Sequence, residues 1–148
     1  MITIREAQDD NLDELLRLQH QFGHQVVTQY DAKAIAVFNM ILQEENYHLL
    51  LGFEEDGKMV TALIAVVIHN LTHGLRPFML IENVVTHAEF RKRGYATQML
   101  NAARTIARGK NCYKIMLMTG SKEKSTLEFY RKAGYNAEDK TAFIQWLF

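Results

Sequence analysis

The segment that most restricts how this chain can fold is a strand-like stretch, residues 78–85, followed by the turn Arg91-Lys92-Arg93-Gly94-Tyr95-Ala96 and at once by an amphipathic helix. From Thr97 the apolar positions Met99, Leu100, Ala103, Ile106 and Ala107 recur at helical spacing, so one face of this helix must be buried against another layer. The turn also has chemical meaning. Several backbone N–H groups gather at the helix N-terminus beside arginine and lysine, which makes a ready site for a phosphate or pyrophosphate. Gly94 lets the backbone turn and approach a ligand, and Ala96 adds almost no bulk.

Around that segment the chain reads as alternating strands and helices. Residues 1–5 alternate as a first strand, and Asn11 then caps a helix with Glu14 as its capping-box partner. Leu12, Leu15, Leu18 and Phe22 share one face of that helix, which Gly23 ends. Asp31 caps a second helix with Ile35, Phe38, Ile41 and Leu42 inside. Strands over 47–53 and 59–68 follow, joined through Glu55-Asp56-Gly57-Lys58, a hairpin signal. Residues 70–77 hold Gly74 and the only proline and read as an exposed connection. After the helix over 97–108, residues 113–119 are apolar on both faces, which suits a strand buried between layers. A short helix closing at Gly134 and a final strand over 141–148 complete the order, with room for a further short strand near Tyr135. With no repeat, low-complexity run or linker, one domain over residues 1–148 is expected.

Composition narrows the class. A chain of 148 residues can bury about 70% of its unfolded surface without staples. Its formal net charge of zero supplies no general attraction to nucleic acid or to an anionic membrane. The single cysteine, Cys112, excludes an intrachain disulfide and fits a reducing compartment. No basic region followed by a long apolar core opens the chain, and the longest apolar run, residues 62–68, is too short to span a bilayer. The expectation is a soluble, cytoplasmic protein that binds neither nucleic acid nor membrane. The histidine pairs His20/His24 and His69/His73 have i, i+4 spacing, but Gly23 interrupts the first and the second falls in a loop. No zinc-type motif accompanies them, so no metal is expected.

With these residues in hand, the chain resembles the GCN5-related N-acetyltransferase (GNAT) superfamily. Arg91, Gly94 and Ala96 fill the fixed positions of its pyrophosphate motif, [Q/R]-x-x-G-x-[G/A]. Phe129-Tyr130-Arg131-Lys132-Ala133-Gly134-Tyr135 resembles its late F-Y-x-K-x-G-[F/Y] segment. Residues 81–85 occupy the place of its central splayed strand. The resemblance implies a mixed α/β acyl-CoA N-acyltransferase fold: a central, mostly antiparallel, twisted sheet with a splayed strand pair and helices on both faces. Two departures stand out. Ala88 replaces a common proline, and Glu123 replaces an asparagine that contacts the cofactor arm, so that role does not carry over; Ser121 and Ser125 are nearby substitutes.

The implied reaction moves acetyl from acetyl-CoA to a primary amine of a small molecule, by direct attack through a tetrahedral intermediate. Acetylation of a protein N-terminus or lysine, and a non-catalytic acyl-CoA-binding module, are the alternatives. Backbone groups over Arg93, Gly94, Tyr95, Ala96 and Thr97 would hold the pyrophosphate, with Arg91, Lys92 and Arg93 as counter-charge. Val84, Val85 and Thr86 would line the pantetheine arm, and the Val84 or Val85 N–H would stabilise the oxyanion. Tyr130 matches the family's general acid for the thiolate; without the motif it would read as a packed aromatic. Glu82 follows the apolar run Phe78-Met79-Leu80-Ile81, where an unpaired carboxylate is costly, so it serves as a base or pairs with a neighbouring cation. The acceptor pocket is expected from the first two helices and residues 70–77, with His20, His24, Tyr30 and His73 as lining. The apolar run Phe143-Ile144-Gln145-Trp146-Leu147-Phe148 points to a homodimer contact.

Overall fold

Strands Tyr47–Phe53 (β2) and Met59–Ile68 (β3) form the centre because their sequences are apolar at nearly every position, as strands covered on both faces must be. The computed structural model describes residues 1–23 and 31–147. Gly57, at φ 86°, turns β2 back into β3, and the Asp56 carboxylate accepts from the Lys58 N–H at 3.0 Å. Thr3–Glu6 (β1) pairs antiparallel with β2, and Phe78–Thr86 (β4) pairs antiparallel with β3. Ile115–Leu117 (β5) adds to β4 in parallel, giving a five-stranded sheet in the order β1-β2-β3-β4-β5.

Each face of the sheet has its own core. On one face Leu50, Val60, Leu63, Met79 and Ile81 meet Met99, Leu100, Ala103 and Ala107 of Tyr95–Gly109 (α3), with Phe129 and Tyr130 of Lys124–Lys132 (α4) at the margin. On the other face Leu49, Leu51, Met59 and Val85 meet Leu12, Leu15 and Leu18 of Leu12–Gln19 (α1) and Phe38 of Ala32–Gln43 (α2). Leu51 and Leu63, opposite in direction, are both fully buried. Burying each such side chain contributes roughly 1.5–3 kcal/mol, enough to fix the register between the layers.

The ends of the elements explain where the sequence reading holds and where it changes. Asp31 caps α2 as expected, accepting from the Ala34 N–H at 2.8 Å, and Gly23 and Gly134 take positive φ after their helices. At α1 the capping box lies one turn earlier, between Gln8 and Asn11. Glu14 instead reaches across to accept from the Met59 N–H at 2.8 Å, because the unpaired start of β3 needs an acceptor more than the helix does. Phe22 is exposed rather than buried, as the helix tightens into a short 3₁₀ turn before it.

Two expected strands are corrected. Residues 113–119 supply only three strand positions, and Met116 and Met118 are exposed, since β5 ends the sheet among the described residues. Residues 141–147 form no strand, nor does the chain near Tyr135. Phe143, Ile144, Trp146 and Leu147 stand exposed, because the run leaves the sheet instead of pairing with it. Phe148 lies outside the described residues.

Candidate active site

The helix α3 begins on Gly94, whose φ of 80° no ordinary side chain favours and which offers no capping atom. A Cβ placed there would meet nothing within 4 Å, so it is the backbone angle, and the open space in front of it, that require glycine. The first N–H groups of the helix therefore face outward without a side-chain cap. The basic residues around them divide. Arg91 donates to the Thr86 carbonyl and to Gln21 Oε1, both at 3.2 Å. Arg93 donates to the Glu89 carbonyl at 3.3 Å and lies over the Phe90 ring, 4.7 Å from its centroid. Lys92 is exposed and engages no acceptor among the described residues. Tyr95 is buried, Ala96 is half-buried and Thr97 is exposed.

Beside this turn, β4 and β5 part company. Pairing runs from Met79↔Ile115 to Ile81↔Leu117 and then stops, leaving the far edge of Glu82 to Thr86 without a β5 partner. A bulge accompanies the change: Glu82 faces Ile64 and Val85 faces Ala62, so Asn83 and Val84 together oppose Leu63. Asn83 takes the left-handed φ of 55°, which asparagine tolerates better than most side chains. The His87 N–H donates to the Val60 carbonyl at 2.8 Å, which fixes the alternation at the end of the strand. Val85 turns its main-chain groups toward β3, and Val84 and Thr86 turn theirs toward the gap. By that alternation the Val84 N–H, unlike that of Val85, is turned away from β3. Thr61, fully buried, pins this end by donating to the Val85 carbonyl at 2.8 Å and bonding to Thr86 Oγ1 at 3.1 Å.

Tyr130 borders the same apolar cluster as Val84 and Leu117. Its half-buried ring lies 5.0 Å from Phe129 and 6.3 Å, edge-on, from Tyr135, and burial raises the phenol above its ordinary pKa. It lines a groove of about 610 Å³ with Leu100, Leu117, Thr119 and Tyr135. Glu82 points to the opposite face from Ile81, the one α1 and α2 cover. It is half-buried, and among the described residues no ion pair or side-chain hydrogen bond engages it. The structural pairing weighed for it is thus not found there. On that face a cavity of about 360 Å³ lies between α1 and α2, lined by Leu15, Leu16, Val37, Phe38 and Ile64 and reaching Asn83.

Other sequence candidates fall elsewhere. His73 stacks on Tyr113 at 3.9 Å and His69 bonds to Asn46 at 3.2 Å, away from the α1–α2 cavity. His20 is exposed, and His24 and Tyr30 lie outside the described residues. No group of three or more potential metal ligands occurs among the described residues. Glu123 sits at the α4 N-cap without capping it, and the Ser121 hydroxyl is occupied by accepting from the Glu123 N–H at 3.2 Å; Ser125 is exposed on the first turn. Thr61 and Asn83 were missed by sequence reasoning, although each is a polar residue inside an apolar strand.

Comparison with known proteins adds independent findings. The sequence profile of the family described as "Acetyltransferase (GNAT) family" matches residues 10–135. A curated relative, glucosamine 6-phosphate N-acetyltransferase of Trypanosoma brucei brucei, is 33% identical over 84 residues, covering 57% of this chain. That match spans 55% of the relative, little more than half its length. A structure from Agrobacterium tumefaciens str. C58, provisionally named an acetyltransferase, is 32% identical with a TM-score of 0.89, over 98% of this chain and all of that one. A structure of AAC(6')-Iy in complex with the bisubstrate analog CoA-S-monomethyl-acetylneamine has a TM-score of 0.80 at 19% identity. It covers 100% of this chain and 99% of that one, and at such identity the likeness concerns the fold.

Proposed function

The chain belongs to the acetyltransferase (GNAT) family, and on that premise we propose that it transfers acetyl from acetyl-CoA to the primary amine of a small molecule. One observation carries the reading: an uncapped helix N-terminus on Gly94 opens beside the gap where β4 leaves β5. A diphosphate suits that turn, since the free N–H groups and the unengaged Lys92 both favour negative charge. Arg91 and Arg93 contribute their field from the rim.

Each residue then has a defined task. Val84 and Thr86 offer main-chain groups to the extended pantetheine arm, as a neighbouring strand would, while Val85 holds the strand to the core. The Val84 N–H serves as the oxyanion donor as the amine attacks the thioester carbonyl. Tyr130 supplies the proton to the departing thiolate, and Glu82, directly or through water, takes the proton from the amine. The α1–α2 cavity lies within the usual range of small-ligand pockets, roughly 300–1,000 Å³, which favours a compact amine over a peptide.

A thermal melt tests the cofactor assignment. Acetyl-CoA at 100 times its Kd stabilises by about 2.7 kcal/mol. Gly94→Glu, which puts bulk and negative charge at the turn, abolishes the shift; a mutant that responds like the parent refutes the assignment. Turnover against parallel amine and peptide panels separates a small-molecule enzyme from a protein acetylase or a silent binder. The exposed Phe143, Ile144, Trp146 and Leu147 further support a homodimer that covers them. Sedimentation at micromolar concentration is expected to give a dimer, and a pure monomer removes it.

A further inference from the structure

The pyrophosphate turn is tied to a distant part of the chain as well as to its own neighbours. Gly94 gives the chain a swivel immediately before α3, and no side chain caps the helix there. The first residue of the helix, Tyr95, has a buried side chain whose hydroxyl donates to Glu54 Oε1 across 41 residues of sequence. Glu54 is itself rigidly placed. Its N–H donates to the Lys58 carbonyl at 2.9 Å, and its own carbonyl accepts from the Gly57 N–H at 3.0 Å, closing the β2–β3 hairpin. The same carboxylate lies 3.7 Å from Arg93 Nη1, and Arg93 packs on Phe90. One mostly buried carboxylate thus grips the turn on both sides of Gly94.

We infer that Glu54 is a positioning residue for acetyl-CoA: it anchors Tyr95 and Arg93 to the hairpin, so that the N-terminus of α3 is aimed before the diphosphate arrives. The inference rests on the proposed acetyl-CoA site. The Glu54 carboxylate brings negative charge toward an anion site, so its contribution there is structural and not electrostatic. Arg93 offsets part of its charge. The Tyr95 phenol is held above its ordinary pKa, first by its hydrogen bond to Glu54 and then by burial, with Arg93 pulling the other way, so it remains a donor. Pre-aimed donors bind more tightly than donors that must be ordered on contact.

The test uses Glu54→Ala, Glu54→Gln and Tyr95→Phe, with CoA affinity and steady-state kinetics. Glu54→Ala and Tyr95→Phe are each expected to weaken CoA binding and raise the acetyl-CoA KM about tenfold, the worth of one hydrogen bond to a charged group. The kcat and the amine KM stay within about twofold, a split that general loosening of the fold would not give. Glu54→Gln, which still accepts from the Tyr95 hydroxyl, recovers affinity to within about threefold of the parent. Parental CoA affinity in either anchor-breaking variant overturns the inference, and so does a Glu54→Gln protein as weak as Glu54→Ala. If Glu54→Ala does not fold, Tyr95→Phe and Glu54→Gln decide it. A parent protein that fails to bind CoA would instead remove the underlying site.

Discussion

Replacing Tyr130 by phenylalanine is the sharpest probe of the proposed chemistry, because the structure separates what the ring does from what the hydroxyl does. The ring packs against Phe129 and Tyr135, and phenylalanine keeps both contacts. No hydrogen bond among the described residues engages the hydroxyl, so its removal leaves no partner stranded, and the change in stability should stay within about 0.5 kcal/mol. Catalysis is a different matter. General acids typically contribute ~10²–10⁴-fold, and a thiolate is already a fair leaving group, so the low end applies: about 100-fold in kcat, or about 2.7 kcal/mol of barrier. Acetyl-CoA affinity should change little. Burial raises the phenol, so the neutral acid persists past its ordinary value of about 10, and the parental rate falls only as pH climbs through the raised value. The same sign governs stability. The unfolded chain ionises first, so the stability this phenol contributes is complete below about pH 10 and is lost as pH rises toward the folded value. Thiol release at saturating acetyl-CoA, followed across pH, measures the rate, and the alkaline limb should vanish in the mutant. A Tyr130→Phe enzyme with parental kcat and an unchanged profile would refute the reasoning and reduce Tyr130 to packing.

Two further substitutions probe the site and its support. Glu82→Gln keeps the shape of the side chain but removes its basicity; kcat should fall at least tenfold without loss of CoA binding, and a parental rate would reassign the base to water. Gly52→Ala should lower the melting temperature, since the new Cβ would lie 2.5 Å from Thr61 Cγ2 and 2.8 Å from Ile2 Cδ1. Overpacking of this kind costs about 1–3 kcal/mol, at roughly 2–4 °C per kcal/mol, and an unchanged melt would show that the strand can shift to accept it.

What the sequence disclosed follows from how local each determinant is. The hairpin at Gly57, the cap at Asp31 and the Gly94 turn are written in a few adjacent residues, and each sits where local chemistry puts it. The buried face of α3 was legible too, from spacing alone. Glu14 was misassigned because its partner, the Met59 N–H, lies 45 residues away and leaves no trace in a short window. Separations of 41 and 24 residues likewise hid Glu54 and Thr61, whose roles exist only once the hairpin is folded against α3 and β4. Residues 113–119 were read too long because an apolar run cannot announce that its neighbouring strand will diverge. The directions of the Val84 and Val85 N–H groups were illegible for the same reason, since they follow from pairing and not from residue type.

The gap between β4 and β5 also divides the molecule mechanically. Seven register pairs join β2 to β3 and seven join β3 to β4, whereas three hold β5, and α4 behind it has no fully buried residue. The β5–α4 segment that carries Tyr130 is therefore more weakly tethered than the central strands, and local opening there should require less free energy than unfolding them. Any ligand lying in the gap bridges a stiff slab and a loose flap, and its grip on both would damp the motion of the flap. A filled cleft would in that way also steady the phenol of Tyr130.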